Sequence, residues 1–260
     1  MGMHQMLRYE KSVYRAKKIA AKPHSNLARS DKFMEKILQI ISKTPIFQDL
    51  CEADLKKIRG IAVDRFYNKG QSVFSEGDDG VGFYVVAAGK VKIYKVSLEG
   101  KEQILHIYGP GNPFGEVPVF SGERFPANAE TLLKSHLLFF PRTAFTELIS
   151  KNPALCLNML AVLSMRLRQF TVQVENLSLK EVPGRLASYL LYLAQEQDAI
   201  DTVSLPISKG QLASLLGTIP ETLSRILAKM NSGQLIAVAG KEITLLDPDG
   251  LKDLAETGKL

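Results

Sequence analysis

The stretch PALCLNMLAVLSMRLRQFTVQVENL, residues 153–177, decides the fold, because its length and spacing predict one long helix. Its apolar positions alternate steps of four and three residues, the seven-residue pattern that keeps one seam of a helix facing a partner helix. The seam residues are Cys156, Leu160, Leu163, Leu167, Phe170, Val174 and Leu177. We therefore expect residues 151–179 to form the dimerisation helix of a homodimer.

This helix has a second apolar face, Leu155, Met159 and Val162, which needs a different neighbour. The polar residues Arg166, Arg168, Gln169, Gln173 and Glu175 lie off the seam. Asn152 is predicted to cap the helix, and Pro153 fits its first position because that position needs no N–H donor. The alternative interpretation is an ordinary helix buried inside one domain, since the repeat lasts only about three heptads.

Composition and length indicate a soluble globular protein of two domains: 260 residues, 45% hydrophobic and 23% charged. No apolar run approaches the length of a membrane span and the N-terminus lacks the apolar core of a secretion signal, so we expect a cytoplasmic protein with no membrane partner. Only Cys51 and Cys156 are present, which excludes a four-cysteine iron-sulfur cluster and a zinc site. Cys156 is expected to be a buried thiol on the seam; a disulfide across the dimer is the alternative.

The net charge of +6 resides in the N-terminal region. Residues 1–32 hold eight Lys and Arg against two acidic residues, 8 − 2 = +6, and residues 1–30 are predicted to be a basic flexible arm, either a solvated tail or a DNA-contacting segment. From residue 179 onward eight basic residues face ten acidic ones. Charge therefore gives no argument for DNA binding in the C-terminal region.

Short β-branched and aromatic runs separated by glycine-containing turns occupy residues 63–140. The predicted strands are Asp64–Tyr67, Ser72–Phe74, Gly82–Ala88, Val91–Val96, Glu102–Tyr108, Ala127–Thr131 and His136–Pro141. Seven short strands at this spacing predict a compact antiparallel barrel or sandwich, so residues 31–150 are assigned to a β domain.

A helix-turn-helix pattern follows in residues 180–260. After a helix predicted over Val182–Gln197, Ser208 caps a short helix that Gly217 ends, and a second helix runs from Pro220 to Met230. Two strands, Leu235–Val238 and Glu242–Leu246, form a wing.

The succession of β domain, long helix and winged helix-turn-helix resembles the Crp/Fnr superfamily of dimeric bacterial transcription regulators over roughly residues 32–248. The motifs that carry the resemblance are Gly70-x-x-Val73-Phe74-x-Glu76-Gly77-Asp78, Gly89–Tyr94, Phe114-Gly115-Glu116, Phe125-Pro126-Ala127 and Pro220–Leu227. The resemblance implies an α+β protein with an N-terminal antiparallel β-roll, a double-stranded jelly-roll like that of cyclic-nucleotide-binding domains. It is closer to Fnr-like and nitrosative-stress members than to the cAMP receptor protein.

By this resemblance the second helix of the motif enters the major groove of palindromic double-stranded DNA. Glu221, Ser224 and Arg225 lie on one helix face, where arginine can bind guanine and glutamate can accept from the N4 amine of cytosine. The predicted DNA-binding set is Ser208, Gln211, Pro220, Glu221, Thr222, Ser224, Arg225 and Lys229. Pro220 stands where the family often has arginine and cannot reach a base. The alternative is a surface ion pair between Glu221 and Arg225.

The resemblance also places an effector pocket at Phe114, Gly115, Glu116, Arg124, Phe125, Pro126 and Ala127. Cyclic-nucleotide-binding members hold the ribose with a Gly-Glu pair, matched by Gly115-Glu116, and the phosphate with an Arg-Ser pair. Phe125-Pro126 stand at that second place, and Arg124 is displaced by one residue, so cAMP is disfavoured. Arg124 could equally be a solvated loop residue.

The Phe-Pro-Ala segment is similar to that of redox and nitric-oxide sensors, including heme-binding ones. Heme is therefore a candidate cofactor, with His106, His136 and Met159 as candidate ligands; a purely structural role is the alternative for a lone histidine.

The sequence thus predicts a homodimeric transcription regulator that a small-molecule or gas effector controls, with RNA polymerase as a partner if it activates. One rival hypothesis is a cyclic-nucleotide-responsive regulator, and another is a ligand-binding module that binds no DNA. An enzyme is not predicted, since the sequence holds no catalytic triad, paired-carboxylate motif, phosphate loop or metal-ligand spacing.

Overall fold

The computed structural model describes residues 34–258. The predicted basic arm, residues 1–30, lies outside them. An antiparallel β-roll, one long helix and a winged helix-turn-helix succeed one another along the chain, which confirms the predicted fold class.

The β-roll consists of two four-stranded antiparallel sheets. Its strands are β1 (Val63–Tyr67), β2 (Ser72–Phe74), β3 (Gly82–Ala88), β4 (Val91–Val96), β5 (Glu102–Tyr108), β6 (Pro113–Phe114), β7 (Asn128–Thr131) and β8 (Ser135–Pro141). One sheet has the order β1-β8-β3-β6 and the other β2-β7-β4-β5. The seven predicted strands are confirmed to within one residue at each end. The two-residue β6 was not predicted, because a pair of residues has no alternation pattern.

Helices cover the outer face of the first sheet. They are α1 (residues 34–43), α2 (Glu52–Ile61), α3 (Val117–Ser121), α4 (Arg142–Ser150) and α5 (Pro153–Leu179), with a 3₁₀ turn at Pro45–Phe47. Alternate residues of β3 point to the two sides: Phe83 and Val85 pack against helices, whereas Tyr84 and Val86 fill the aromatic interior of the roll. Helix α5 thereby lies directly beside the sensor core.

The start of α5 differs from the prediction. Pro153 occupies the first helical turn as expected, but the Asn152 side chain makes no capping hydrogen bond. Its Nδ2 instead donates to Asp54 Oδ2 at 3.1 Å. The prediction of an asparagine cap is therefore wrong, and the amide fastens the start of α5 to α2.

The C-terminal unit is a winged helix-turn-helix. Its elements are α6 (Val182–Glu196), β9 (Thr202–Ser204), α7 (Lys209–Leu215), α8 (Pro220–Ser232), β10 (Ile236–Ala239), β11 (Glu242–Leu245) and α9 (Pro248–Thr257). The predicted cap of α7 is confirmed: Ser208 Oγ accepts from Gln211 N at 3.2 Å, and Gln211 Oε1 accepts from Ser208 N at 2.9 Å. Gly217 turns the chain between α7 and α8 with a φ of +68°, a left-handed value that favours glycine.

Among the described residues no single helix has both the length and the apolar character of a membrane span. The pair Arg142–Ser150 and Pro153–Leu179 meets those criteria only jointly, with a bend of 115°.

Candidate functional site

Helix α8 presents its predicted DNA-reading residues to solvent. Pro220, Glu221, Ser224 and Arg225 are exposed, while Leu223, Leu227 and Met230 on the opposite face are buried against the rest of the unit. A helix of this kind is held by its apolar face and leaves the polar face to contact base edges.

Local contacts orient the side chains on this face. Arg225 Nη2 donates to Thr222 Oγ1 at 3.2 Å, and Ser224 Oγ donates to Pro220 O at 2.8 Å. No ion pair joins Glu221 to Arg225 in the part of the chain that the structure describes, so the alternative interpretation of these two residues is wrong. Ser208 and Gln211 lie at the N-terminus of α7 and bond to each other, and Lys229 is exposed near the end of α8.

The seam of α5 is an exposed apolar surface. Leu160, Leu167 and Val174 are 57%, 69% and 62% exposed, and Phe170, Leu177 and the free thiol Cys156 are exposed as well. Leu163 is half-buried. The helix is therefore not buried all round, contrary to the single-domain interpretation.

The segment Phe114-Gly115-Glu116 makes a tight turn at the end of the roll. Gly115 has a φ of +72°, and a Cβ there would lie 3.0 Å from the Phe74 ring. The same Cβ would lie 3.2 Å from the Phe125 ring, which stacks on Phe74 with ring centroids 3.7 Å apart. Phe114, Phe125 and Ala127 are all buried, so the predicted pocket edge forms part of a closed aromatic interior.

Glu116 makes a buried ion pair with Arg166 of α5. The two residues are 6% and 9% exposed; the guanidinium donates through Nη1 to Glu116 Oε1 and through Nη2 to Pro113 O. The same guanidinium lies 5.0 Å from the centre of the Tyr108 ring. Glu116 Oε2 is buried and has no hydrogen-bond partner among residues 34–258. The pair therefore ties the sensor to the long helix and leaves one carboxylate oxygen as an unused acceptor.

The importance of Arg166 was missed from the sequence, although a signal existed. Leu155, Met159 and Val162 are buried as predicted, and the next position at helical spacing is 166. A lone arginine that continues an apolar face indicates a buried partner of opposite charge.

The remaining predicted pocket residues lie elsewhere. Arg124 is on the outer surface, 3.5 Å from Asp79, and Pro126 is exposed with its carbonyl accepting from Lys95 Nζ at 3.1 Å. A surface cavity of about 580 Å³ beside Arg124 is also lined by Arg142 and Asp79. The structure thus does not bring Arg124 together with Glu116.

The three candidate heme ligands lie in different surroundings. Burial, with a smaller contribution from the Arg166 charge, lowers the pKa of His106 to about 4, and its ring lies 4.3 Å from that of Tyr108. His136 Nε2 is 2.8 Å from Asp64 Oδ1, and Met159 is buried in the apolar core under α5. Within residues 34–258 no group of three or more His, Cys, Asp or Glu side chains is placed to hold a metal ion.

A β-roll sensor joined through one long helix to an exposed reading helix defines a DNA-binding transcription regulator. Comparison with known proteins gives the same class: residues 64–152 match the cyclic nucleotide-binding domain family and residues 184–254 the Crp-like helix-turn-helix domain family. The chain belongs to the Crp/Fnr family of transcription regulators.

Three similar proteins illustrate this. The probable transcriptional regulator flp of Lacticaseibacillus casei is 31% identical over 211 residues, covering 81% of this chain and 95% of the relative. The CRP-like cAMP-activated global transcriptional regulator of Mycobacterium tuberculosis is 29% identical over 217 residues, covering 82% and 97%. The solved structure of FixK2 from Bradyrhizobium japonicum shares the fold, with a TM-score of 0.67, 24% identity and coverage of 75% and 97%.

Proposed function

We propose that the protein works as a homodimer, in which two copies pair along the α5 seam and read a palindromic DNA site. The exposed seam is the observation that carries this proposal. Leu160, Leu167 and Val174 lie on one side of a 27-residue helix, and another side of this helix is packed on the sensor from Leu155 to Arg166. A second copy of the same helix would bury these residues in the heptad pattern that they follow.

The experiment is sedimentation equilibrium combined with selection of DNA from a random pool. We expect a dimer that selects a palindrome with half-site centres about 34 Å apart. Monomers alone, at working concentration and with the selected DNA present, would refute the proposal.

Within the reading face we assign base recognition to Arg225 and Glu221. Arginine can donate two hydrogen bonds to guanine, and loss of such a contact costs about 1–3 kcal/mol of discrimination. Arg225→Ala is therefore expected to weaken binding and relax base preference at one position of each half-site in a gel-shift titration. Lys252→Ala serves as the control, because it removes an exposed cation from α9, outside the proposed set, that among the described residues pairs only with the exposed Asp249. An unchanged base preference in Arg225→Ala would mean that another residue reads DNA.

We also propose that a small effector acts at Glu116. Its unpaired Oε2 is suited to accept one hydrogen bond from a ligand, and such a ligand would act on α5 through Arg166. Phe125 and Pro126 offer no charge for a phosphate, which disfavours cAMP. Calorimetric titration with cAMP tests the rival hypothesis, and tight binding would favour it.

The proposed signal is redox or nitric oxide, and the proposed branch of the family is the Fnr-like one, on the basis of Phe125-Pro126-Ala127 and of Pro220. Heme is disfavoured in this proposal, because His106 contacts Tyr108, His136 is paired with Asp64, and Met159 lies within the apolar core. An absorption spectrum of the purified protein with heme and nitric oxide would settle this: absence of a heme band would exclude that cofactor. A cytoplasmic location, and RNA polymerase as partner of an activating form, complete the proposal.

A further inference from the structure

The winged helix-turn-helix unit is docked on the edge of the sensor in the same protomer. Strand β5 is the edge strand of its sheet among the described strands, so its outer backbone groups pair with no strand of that part of the chain. Ser214 of α7 satisfies two of them: its Oγ accepts from Ile104 N at 3.0 Å and donates to Glu102 O at 2.9 Å. The Ser214 hydroxyl thereby makes two of the hydrogen bonds that a neighbouring strand would make.

Two further contacts surround this hydroxyl. Gln103 Nε2 donates to Ser214 O at 2.7 Å, and the sensor residues Leu132 and Ile107 pack into the apolar core of the winged unit. The contact between the sensor and the winged unit therefore combines hydrogen bonds with apolar packing, as interfaces between domains commonly do.

The docking also fixes the turn between α7 and α8. A Cβ at Gly217 would lie 3.1 Å from Leu177 Cδ2, 3.2 Å from Arg185 Nη1 and 3.4 Å from Gln103 Oε1. The turn that aims the reading helix is thus enclosed by the end of α5, by α6 and by β5. Docking leaves Glu221, Ser224 and Arg225 exposed, so it is compatible with DNA contact.

We propose that Ser214 and Gln103 are positioning residues for DNA recognition: by holding α7 on the β5 edge they set the direction of α8. Only Lys180 and Glu181 separate α5 from α6, and a two-residue hinge without the dock would let each reading helix swing. Two half-sites about 34 Å apart can be read together only when both helices are held in place. This inference rests on the proposed dimer.

The test compares the full-length wild-type chain with Ser214→Ala and Gln103→Glu. Each is titrated by fluorescence anisotropy with three duplexes: the palindrome that the wild type selects, the same palindrome with two base pairs inserted at its centre, and one half-site alone. Ser150→Ala is the matched control, because Ser150 Oγ donates only to Glu147 O of its own helix, at 2.8 Å. Light scattering checks that each variant stays a dimer.

We expect both docking variants to lose roughly tenfold in affinity for the palindrome, as two interdomain hydrogen bonds are lost, and to retain wild-type affinity for the half-site. Their discrimination against the lengthened palindrome should also fall. Wild-type affinity and spacing preference in both variants, or tighter binding in either, would overturn the inference. If Ser214→Ala lowers half-site affinity because the unit unfolds, Gln103→Glu decides, since that residue lies in the sensor. If the wild type selects no palindrome, the proposed homodimer is refuted, and this result is distinct from any difference between the variants.

Discussion

The two halves of α5 differ in what supports them. Between Leu155 and Arg166 each turn buries one residue against the sensor, namely Leu155, Met159, Val162 and Arg166. Between Leu167 and Leu179 no residue is buried in the described chain. Isolated helices of about this length are marginal in water, so in the proposed dimer the second half would be stabilised by the partner helix, whereas the first half is already packed on the sensor. In the proposed dimer, the first half of α5 would contact both the sensor and the partner helix, whereas the second half would contact mainly the partner helix.

The largest effect is expected from charges on the second half of the seam. Leu167→Asp combined with Val174→Asp would place four carboxylates in the dimer interface, and we expect monomers and a loss of palindrome affinity of more than about a hundredfold. Sedimentation and gel shift measure the two outcomes. Gln169→Asp with Asn176→Asp adds the same charge at the same spacing off the seam and should leave a dimer. A dimeric seam variant would show that the second half is not the interface.

The first half should respond through its buried ion pair. Arg166→Met leaves the Glu116 carboxylate buried without its partner, and such a change costs about 3–5 kcal/mol of unfolding free energy. Urea denaturation measures it. Arg124→Met breaks an exposed pair with Asp79 and should cost less than about 0.5 kcal/mol. Equal losses in the two variants would mean that Arg166 does not anchor the helix.

The half-buried side chain of His106, near Arg166, should make the free energy of unfolding depend on pH. Burial lowers the pKa of His106 in the folded protein to about 4, from 6.5 in the unfolded chain. Between pH 6.5 and pH 4 the unfolded chain is therefore protonated at His106 while the folded protein is not. The contribution of His106 to the free energy of unfolding is fully present above pH 6.5. It falls by on the order of 3 kcal/mol as the pH drops to 4. His106→Phe should flatten this part of the unfolding free energy against pH. A slope as steep as in the wild type would assign the acid sensitivity to other groups.

The smallest effect is expected on the side of α5 turned away from both the sensor and the seam. Met165 and Leu179 are exposed there, and replacement by lysine should change the unfolding free energy by no more than about 0.5 kcal/mol and leave the dimer intact. Thermal unfolding and sedimentation provide the check. A monomer would show that the interface extends around the helix beyond the seam.

Much of the architecture could be predicted because it depends on residue patterns that repeat over short stretches of sequence. The seven strands, α5, the Ser208 cap and the exposed reading face followed from alternation, heptad spacing and turn residues, which act over neighbouring positions. The β6 strand and α3 are too short for such a pattern. The prediction of an Asn152 cap was wrong because the side chain is oriented by a tertiary bond, in which Nδ2 donates to Asp54, and its Oδ1 makes no capping bond.

The candidate sites show the same limit. Arg166 could have been found, since it continues a buried helical face, but its partner Glu116 lies fifty positions away. Nothing in the sequence joins Gln103 or Ile104 to Ser214, because that contact depends on how two separately folded units meet. The Phe74–Phe125 stack likewise fills the interior where sequence motifs alone indicated an open pocket.

The Arg166 guanidinium is buried against the sensor, and the far end of α5 lies beside the helix-turn-helix. A small tilt of the helix at Arg166 would therefore displace its far end by a larger distance. Leu177 lies eleven positions beyond Arg166, which at 1.5 Å per residue is about 16 Å along the helix. A tilt of about 10° at the sensor end would then carry the far end sideways by about 3 Å, close to the 3.4 Å rise of one base pair. If the proposed effector tilts α5 at Glu116, the helix would therefore enlarge that change to about the spacing of one base-pair step at the helix-turn-helix.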